Sequence, residues 1–463
     1  MKFEIKNMAR IERAYIELKP LTVFIGKNGT NKSYMAHLVY ELYKEINNFE
    51  EPLFMKDSKV TRNIIASFIN KYKEELGKSF NFAIIDESYI IDKLQVDIDE
   101  YEDMEYVIYI YSIDKLKNDG ILDKIYNFVI ESLVLKINKS YNTKNKVLEY
   151  IRFEEEIENV FTEDIKIKIN VERRENTIFI NQQLIRILFN KIFKFFKQKL
   201  NLDSFFYFPS SRTGFVLAFD EIVSGVFRDR FGGRPTATKL TIPTIDFLSN
   251  FADIKTGKFQ DENNDFNFFI NNSFENKLPE EILNYLEKYI LKGSILENET
   301  EEEYLNYSLK TLDGLVLDLH LTSTATLELL PLVVFLRHFS SIKNRLLVIE
   351  EPEAHLHPKA QILMARFLVL LINHGAKIVI TTHSDYIIQE LNNCIKLFNQ
   401  KPDIIEQYNF DDGMGSSIYL NEEDLSVYLF KEEGEKVKVI NLEIEDEEGI
   451  SLDSFRNIEI EVN

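Results

Sequence analysis

LLVIEEPEAHLHP, residues 346–358, is the stretch of this sequence that decides the fold. Four apolar residues run without interruption into two acidic ones, Glu350 and Glu351. An unbroken apolar run of this length is typical of a strand that is buried on both faces, as in a parallel sheet. The two carboxylates are then expected at the carboxyl edge of the sheet, where open α/β sheets bind their ligands.

A helix and a second apolar strand follow this stretch. The pattern predicts a helix over 359–374 and another buried strand, AKIVITTHS, at 376–384. Strand, helix and strand in this order form a parallel crossover, so both strands end at the same edge of one sheet. Glu350, Glu351 and His383 are therefore predicted to converge there.

Paired carboxylates at such an edge can support two kinds of chemistry. The first, Glu350, can hold a Mg²⁺ ion, usually through water. The second, Glu351, can orient or deprotonate an attacking water molecule. The alternative is a strand that ends in a solvated acidic turn with no ligand. The convergence with His383, and with the glycine-rich loop near the start of the chain, favours a ligand site.

That loop, GKNGTNKS at 26–33, lies between a short apolar strand at 21–25 and an amphipathic helix at 34–46. Glycine-rich backbone lets several N–H groups point inward at phosphate groups, and the helix N-terminus adds its dipole. Lys32 is expected to reach the β- and γ-phosphates of a nucleotide, and the Ser33 hydroxyl to join the Mg²⁺ coordination shell. The strand before the loop should share the sheet edge with the carboxylates.

The loop departs from the usual phosphate-loop pattern at one position. Glycine normally precedes the lysine, whereas Asn31 stands here. Asparagine tolerates left-handed backbone better than most residues that carry a side chain, so the loop is expected to form. A chance match to the loosened pattern is the alternative, and the position between a strand and a helix favours the phosphate loop.

Composition and charge limit the classes of function. The chain has 463 residues, 45 % of them hydrophobic, which predicts a main domain with a large insertion or two to three domains. Cys394 is the single cysteine, which excludes an internal disulfide and a multi-cysteine zinc site. No apolar stretch is long enough to span a membrane and no signal-peptide core is present, so a soluble cytoplasmic protein is expected. The net charge of −21 weakens a role in DNA binding without excluding it.

Residues 47–200 differ in composition from the segments on either side. They are rich in Lys, Glu, Asn and Ile and contain almost no Gly or Pro. Helical periodicity is found in three stretches, 60–76, 113–138 and 182–200. A hairpin is predicted at 165–180, with its turn at 174–176. We interpret the block as a large, mainly helical insertion.

Two basic clusters are candidate contacts for a polyanion. KIFKFFKQKL at 191–200 interleaves Lys with Phe, and the loop after residue 226 carries Arg228, Arg230 and Arg234. A nucleic-acid-binding face is one interpretation. The favoured alternatives are an ordinary amphipathic helix for the first cluster and, for the second, a loop whose charges are balanced by neighbouring acidic residues.

The second half of the chain adds further strands. A strand at 204–208 is followed by Arg212, which is expected either to meet a phosphate or an acidic partner or to pin a turn. Residues 257–303 are polar and acidic and are expected to be insert-like or loop-rich. Hairpins are predicted at 304–321 and 426–444.

Small hydroxyl residues open the helix predicted within 321–338. Ser323 and Thr324 stand just before its apolar positions. Such residues are ordinary N-caps. They are also the kind of residue with which a second subunit contacts a γ-phosphate.

Together these motifs make the chain resemble the ABC-type ATPases of the RecF/SMC/OLD branch. The resemblance is strongest to the RecF-like AAA ATPase modules associated with OLD nucleases and with bacterial anti-phage systems such as PARIS. It extends over the whole chain and is carried by GKNGTNKS at 26–33, YFPSSRTG at 207–214, LTSTATLELLPL at 321–332, LLVIEEPEAHLHP at 346–358 and VITTHS at 379–384.

The resemblance implies an α/β fold, a P-loop NTPase of ABC-ATPase type. It implies a mostly parallel core sheet, an antiparallel β subdomain and the large, mainly helical insertion. The chain is then divided into 1–46 with the Walker A loop, 47–200 as the insertion, 201–425 with the signature-like loop, Walker B strand and switch histidine, and 426–463 as a C-terminal β-hairpin extension.

The resemblance also implies ATP and Mg²⁺ as cofactors and assigns roles to residues. Glu351 would be the catalytic base, and His383 the switch histidine that senses the γ-phosphate. Glu350 and Ser33 would hold the metal. The nucleotide-binding residues would be Gly26, Lys27, Asn28, Gly29, Thr30, Asn31, Lys32 and Ser33 of the Walker A loop and Ser323 and Thr324 of the signature loop.

In this family two copies of the domain sandwich ATP, so a homodimer or higher homo-oligomer is expected. The chain after His383 leaves no obvious room for the Toprim nuclease domain of OLD nucleases. A separate effector protein, a nuclease or a toxin, is therefore expected as a partner. DNA is a further candidate partner, and no membrane association is expected.

The expected function is ATP hydrolysis coupled to DNA-linked sensing or anti-phage defence. One alternative is a RecF-like DNA-repair ATPase that acts without an effector. Another is a nucleotide-gated scaffold with little turnover, favoured by Asn31 and by Ala325, which stands roughly where the family pattern has glycine. A transporter subunit is disfavoured by the long insertion and the weak signature loop.

Overall fold

The computed structural model describes residues 1–47, 204–219, 222, 240–259, 280–299, 305–339, 341–399, 418–445 and 449–450, together with short strands between residues 82 and 180. The chain forms two compact units. The first comprises Met1–Tyr43, Asn138–Tyr150 and Asn201–Asn463, and the second comprises Lys44–Ile137 and Ile151–Leu200.

The described strands are, in chain order, β1 (Lys2–Met8), β2 (Ile11–Glu17), β3 (Leu21–Gly26), β4 (Phe82–Ile85), β5 (Ser88–Ile91), β6 (Asp97–Asp99), β7 (Tyr106–Tyr109), β8 (Tyr150–Phe153), β9 (Lys166–Ile169), β10 (Arg173–Arg174), β11 (Thr177–Ile180), β12 (Ser204–Phe208), β13 (Gly293–Glu299), β14 (Leu305–Thr311), β15 (Val316–Asp318), β16 (Arg345–Glu350), β17 (Lys377–Thr382), β18 (Leu425–Glu433), β19 (Lys436–Leu442), β20 (Ile444–Glu445) and β21 (Gly449–Ile450).

The described helices are α1 (Lys32–Asn47), α2 (Arg212–Leu217), α3 (Ile242–Lys255), α4 (Glu280–Tyr285, continued by a π-helical segment, Leu286–Leu291), α5 (Thr324–His338), α6 (Pro358–Asn373) and α7 (Asp385–Asn399). Short 3₁₀ turns lie at Leu319–Leu321 and Glu422–Asp424. None of the helices in the described part of the chain is both long enough and apolar enough to cross a membrane.

The centre of the main sheet in the first unit is parallel. Its strands lie in the order β12, β16, β17, β3 and β18, and each pairs with the next in parallel. Every residue of β3 and of β16 is buried, as expected for strands covered on both faces. Glu350 lies opposite Thr381, and Thr382 lies opposite Ile25, so β16, β17 and β3 end at one edge. The convergence predicted from the sequence is confirmed.

The same sheet continues in mixed pairing beyond β18. β18 and β19 form an antiparallel hairpin around Gly434. β19 pairs with β2 in parallel, and β2 pairs with β1 in the antiparallel direction. The hairpin predicted at 426–444 is therefore confirmed. Its first strand is hydrogen-bonded to β3 along six residue pairs and is buried over 425–430. It is an integral strand of the main sheet and not an appendage at its margin.

Two further predictions for the first unit need correction. The hairpin at 304–321 is present as β14 and β15, but its second strand ends at Asp318 and a 3₁₀ turn follows. The loop-rich prediction for 257–303 is wrong for its second half, which forms α4 and β13. Ile282, Leu286 and Ile290 are buried there, because apolar residues at helical spacing give that polar segment one face that packs on the core.

Seven described strands of the second unit form two small antiparallel sheets, with strand orders β10-β11-β5-β4 and β6-β7-β9. The turn predicted within 165–180 is present, since Arg174 pairs with Thr177. The strand pairing predicted for this hairpin is wrong, because β9 pairs with β7 instead. The helices predicted at 60–76, 113–138 and 182–200 lie outside the described residues.

Aromatic rings fill the core of the first unit on the α5 side of the sheet. Phe335 of α5 is fully buried at the centre of this cluster. Its ring lies 5.2 to 6.4 Å from the rings of Phe206, Phe208, Phe247, Phe251, Phe259 and Phe339. Edge-to-face and stacked ring pairs add to the free energy gained from burial. The cluster therefore fixes α5, and the loop before it, against β12 and α3.

Truncating the central ring should reveal how much the cluster contributes. Phe335→Ala is expected to lower the free energy of unfolding by about 3–5 kcal/mol, because it removes buried area and leaves a cavity. The exposed Phe398 provides the control, and Phe398→Ala should cost less than about 1 kcal/mol. Urea unfolding measures both. Similar losses for the two variants would contradict a central role for Phe335.

Candidate functional site

The predicted phosphate loop connects β3 to α1 through three residues of positive φ. Gly26 has φ 149°, and a Cβ atom there would lie only 2.5 Å from the carbonyl oxygen of Phe430 on β18, so glycine is required. Gly29 has φ 80° and Asn31 has φ 69°. Asn31 thus adopts the left-handed conformation expected from the sequence, and the loop forms without the usual glycine before Lys32.

The Lys32 ammonium group lies inside the loop. Nζ donates hydrogen bonds to the carbonyl oxygens of Gly26, at 2.7 Å, and Lys27, at 2.8 Å, and the side chain is only 5 % exposed. The Thr30 hydroxyl donates to the Lys27 carbonyl as well, at 2.7 Å. These bonds close the loop around neutral acceptors. A phosphate group would offer the ammonium a charged acceptor in their place, which makes a stronger hydrogen bond.

The Lys32 ammonium group is surrounded by carboxylates. Burial lowers the pKa of the ammonium group, and the carboxylates of Glu351, Glu353 and Glu350 oppose that shift. The loop lysine and the carboxylates after β16 therefore share one electrostatic environment, as the predicted convergence requires.

Glu350 is the point where the loop and the β16 strand meet. Its Oε2 accepts a hydrogen bond of 2.8 Å from the Ser33 hydroxyl. Its Oε1 lies 3.1 Å from Nε2 of His37 and also accepts a hydrogen bond from the hydroxyl of Tyr207. The carboxylate is thus held by groups from α1 on one side and β12 on the other.

These donors set the charge of Glu350. Burial by itself would raise the pKa of this carboxyl group, but the hydrogen bonds from His37, Tyr207 and Ser33 hold the pKa below its usual value. An ionised carboxylate beside a hydroxyl provides the hard oxygen ligands that Mg²⁺ takes in proteins. Ser33 and Glu350 therefore fit the metal predicted for them.

Glu351 has an unusual backbone conformation. Its φ is 43°, which is uncommon for a residue with a side chain and marks a functional or structural constraint. Its N–H donates to the carbonyl oxygen of Thr381 on β17, at 2.9 Å. The first residue after β16 is therefore turned away from the strand direction and tied to the neighbouring strand.

Glu353 holds the end of β17. The carboxylate is 3 % exposed and its Oε1 accepts hydrogen bonds from the Thr382 hydroxyl, at 2.6 Å, and the His383 N–H, at 3.0 Å. The same oxygen lies 3.6 Å from Nδ1 of His383, whose side chain is 47 % exposed. Burial raises the pKa of Glu353, and the Thr382 and His383 donors oppose that shift. The contacts orient His383 and leave its ring accessible.

Arg212 lies in a cage of backbone carbonyls under the β16 turn. It is 2 % exposed and its Nε lies 3.0 Å from Oε2 of Glu328 on α5. Its guanidinium donates to the carbonyl oxygens of Glu328, Pro209, Glu350 and Glu351. The sequence left two interpretations open, and the structure places Arg212 against an acidic partner and the turn it pins.

Ser323 and Thr324 lie at the start of α5. Ser323 is the N-cap, and its hydroxyl accepts a hydrogen bond from the N–H of Thr326 at 3.2 Å. Both residues are exposed. The Thr324 carbonyl accepts a hydrogen bond from the Thr213 hydroxyl at 3.4 Å. The two hydroxyl residues thus present a helix N-terminus to solvent, a position that favours anions.

Sequence reasoning missed His37, Tyr207 and Glu353. His37 stands four residues after Ser33 on α1, a spacing that puts both on one helix face, and this signal was available. Tyr207 lies opposite Val348 in the register of β12 and β16, which no sequence pattern reveals. The candidate basic clusters at 191–200 and 228–234 lie outside the described residues.

The fold and the loop define a P-loop ATPase with a sheet of the ABC type. The chain belongs to the AAA ATPase domain family, which matches residues 1–388. That family binds nucleotides, typically with Mg²⁺. No curated protein matches the chain.

Three of the solved structures that match the chain are SMC head domains. One is the SmcHead bound to the C-winged helix domain of ScpA, with 11 % identity and TM-score 0.34, covering 96 % of this chain and 98 % of that one. The head domain from Thermotoga maritima has 10 % identity and TM-score 0.31, with the same coverage. The Smc head with an extended coiled coil bound to the C-terminal domain of ScpA, derived from Pyrococcus furiosus, has 14 % identity and TM-score 0.32, covering 100 % and 98 %.

The raised pKa of Glu353 predicts a dependence of stability on pH. A carboxyl group with a raised pKa in the folded state favours folding when protonated, and this contribution is lost as the pH rises from about 4.3 through the folded-state value. Glu353→Gln keeps an oxygen acceptor for Thr382 and His383 but cannot ionise. Its free energy of unfolding should therefore rise relative to wild type between about pH 4.3 and neutrality.

Urea unfolding at several pH values measures this difference. Glu435→Gln, at an exposed position, is the control and should show no such trend. A constant difference between Glu353→Gln and wild type across the pH range would contradict the prediction.

Proposed function

We propose that this chain binds ATP with Mg²⁺ at the loop 26–33 and hydrolyses it. The observation that carries the proposal is the 2.8 Å hydrogen bond from Ser33 to Glu350. It joins the Walker A loop to the Walker B strand across 317 positions of sequence. A hydroxyl and an ionised carboxylate at one point, next to a buried lysine in a phosphate loop, are what a nucleotide-bound metal requires.

The loop residues and the metal ligands have separate roles in binding the nucleotide. Gly26, Gly29 and Asn31 shape the backbone whose N–H groups bind the phosphates, and Lys32 exchanges its loop carbonyls for phosphate oxygens. When bound, Mg²⁺ supplies positive charge to the β- and γ-phosphates and is held by Ser33 and Glu350.

Two groups act on the reacting end of the nucleotide. Glu351, at the end of β16, orients and deprotonates the attacking water. His383 contacts the γ-phosphate, and the buried Glu353 holds it in place. The accessible ring of His383 supports this role.

A complete site needs a second copy of the chain. Ser323 and Thr324, exposed at the N-terminus of α5, are suited to contact the γ-phosphate bound to the partner. ATP binding then closes a homodimer or a higher oligomer, and hydrolysis opens it. The motif resemblance to ABC-type ATPases, in which two copies of the domain sandwich ATP, supports this cycle.

The output proposed for this cycle is DNA-linked sensing or anti-phage defence through a separate effector protein, a nuclease or a toxin. The motif resemblance to RecF/SMC/OLD ATPases supports it. A RecF-like DNA-repair ATPase is the alternative within the same class. A nucleotide-gated scaffold with little turnover is the alternative outside it, although the left-handed Asn31 completes the loop and weakens that alternative.

Replacing the base tests the enzyme assignment. Glu351→Gln should lower kcat for ATP hydrolysis by about 100-fold or more, because the amide cannot accept a proton from water. ATP binding should be unchanged, since the loop residues remain. Phosphate release and the binding of a fluorescent ATP analogue measure the two quantities, each with and without duplex DNA. Glu12→Gln, an exposed glutamate on β2, is the control and should keep wild-type turnover.

The outcomes separate the candidate functions. Turnover that rises with duplex DNA supports the DNA-linked output. Tight ATP binding by wild type without any turnover contradicts hydrolysis and favours the nucleotide-gated scaffold. Full turnover in Glu351→Gln contradicts its role as the base.

A further inference from the structure

The Arg212 guanidinium joins two segments that the proposed function uses separately. One is the Glu350–Glu351 turn that ends β16. The other is the start of α5, which carries Ser323 and Thr324. Arg212 itself is the first residue of α2, and the N-terminus of this short helix lies between the two segments.

Arg212 holds both peptide groups that flank the unusual backbone of Glu351. Nη1 donates to the Glu350 carbonyl at 2.6 Å, and Nη2 donates to the Glu351 carbonyl at 3.1 Å. Nη1 also donates to the Pro209 carbonyl, at 2.9 Å, which ties the turn to the end of β12. The positive φ of Glu351 is a conformation that persists only when its surroundings determine it. The guanidinium, with its rigid set of donors, is one such determinant.

The other side of Arg212 faces α5. Nε donates to the Glu328 carbonyl at 3.0 Å and lies 3.0 Å from the Glu328 carboxylate. Pro331 is inside the same helix and has no N–H, so α5 lacks one backbone hydrogen bond in this region. Arg212 thus donates to a turn of α5 whose own hydrogen bonding is interrupted.

The residue after Arg212 completes the link. The Thr213 N–H donates to the Glu328 carboxylate at 3.1 Å, and its hydroxyl donates to the Thr324 carbonyl at 3.4 Å. The first two turns of α5 are therefore bound to α2 at side-chain and backbone atoms. These bonds form a continuous path of contacts from Thr324 to the carbonyls of Glu350 and Glu351.

We propose that Arg212 is a positioning residue that couples the signature loop at 323–324 to Glu351 of the same protomer. The inference rests on the proposed function, in which that loop contacts ATP bound to the partner. When the loop of one protomer contacts ATP bound to its partner, the loop sets the geometry of Glu351 in its own protomer. ATP bound at one site therefore changes the arrangement of Glu351 at the other site. Arg212 touches neither ATP nor water in this role and acts through the backbone of Glu351.

The chain offers a matched control in Arg345. This arginine is also fully buried, but it lies at the start of β16, at the opposite end of the strand from Glu350. It donates to the Ser204 hydroxyl at 2.7 Å and to the Ser341 carbonyl. Its guanidinium also lies over the ring of Phe339, 4.4 Å from the centroid, at the C-terminal end of α5. The hydrogen bonds of Arg212, in contrast, go to the Glu351 turn and to Glu328 near the start of α5.

Turnover and binding are measured first in Arg212→Lys and Arg345→Lys. Lysine keeps the positive charge opposite Glu328 but cannot reach all four carbonyls from one nitrogen. Arg212→Lys should lower kcat at least about tenfold, while the Kd for a fluorescent ATP analogue changes less than about threefold. Arg345→Lys should change kcat per folded molecule less than about threefold. Equal kcat losses in the two variants, or an unchanged kcat in Arg212→Lys, would overturn the proposal.

Hydrogen exchange tests the coupling without relying on turnover. In the Glu351→Gln protein, saturating ATP should slow amide exchange both at 323–328 and at 351–356. Adding Arg212→Lys should leave the response at 323–328 and abolish the one at 351–356, whereas adding Arg345→Lys should leave both. If ATP still slows exchange at both segments in the Arg212→Lys protein, the proposed coupling is wrong and the proposed ATPase function is unaffected. A wild-type protein that does not bind ATP would overturn the proposed function together with the coupling.

Discussion

The parallel register of β16, β17 and β3 is the constraint on which the rest of the structure depends. Pairing Glu350 with Thr381, and Thr382 with Ile25, makes the three strands end together. The segments that leave these ends carry the phosphate loop, Glu351 and His383. A shift of one residue in this register would turn every side chain of a strand to the other face. Backbone pairing therefore defines the site as much as its side chains do.

The residues with strong local signals could be predicted from the sequence. Apolar runs without interruption identified the central strands, and the loop between a strand and a helix identified Lys32 and Ser33. Two of the three donors that hold Glu350, His37 and Tyr207, were not predicted. Tyr207 reaches it from another strand, and its position depends on which strands are neighbours, which is a property of the folded sheet. His37 could have been predicted, because its spacing from Ser33 on α1 is a local feature of the sequence.

Buried charge explains a second limit of sequence reasoning. An arginine after a strand is equally consistent with binding phosphate and with pinning a turn, and only burial distinguishes the two. Arg212 is paired with Glu328 and donates to four backbone carbonyls, and additional hydrogen bonds of this kind help to offset the cost of burying an ion pair. The pairing of short strands is a third property that the sequence did not reveal. In 165–180 a hairpin was predicted, but its first strand, β9, pairs with β7. A short strand carries little information about which partner it will choose.

The strand order determines when the protein can fold during its synthesis. β3 is complete at Gly26, but its two neighbours end only at Thr382 and Glu433. Most of the chain must therefore leave the ribosome before β3 is paired on either side. Contacts between such distant segments form late, and unpaired apolar strands are prone to aggregation in the meantime. LTVFI therefore waits for both of its neighbouring strands through most of translation, and the cost of this strand order is an apolar segment that must stay free of non-native contacts during that time.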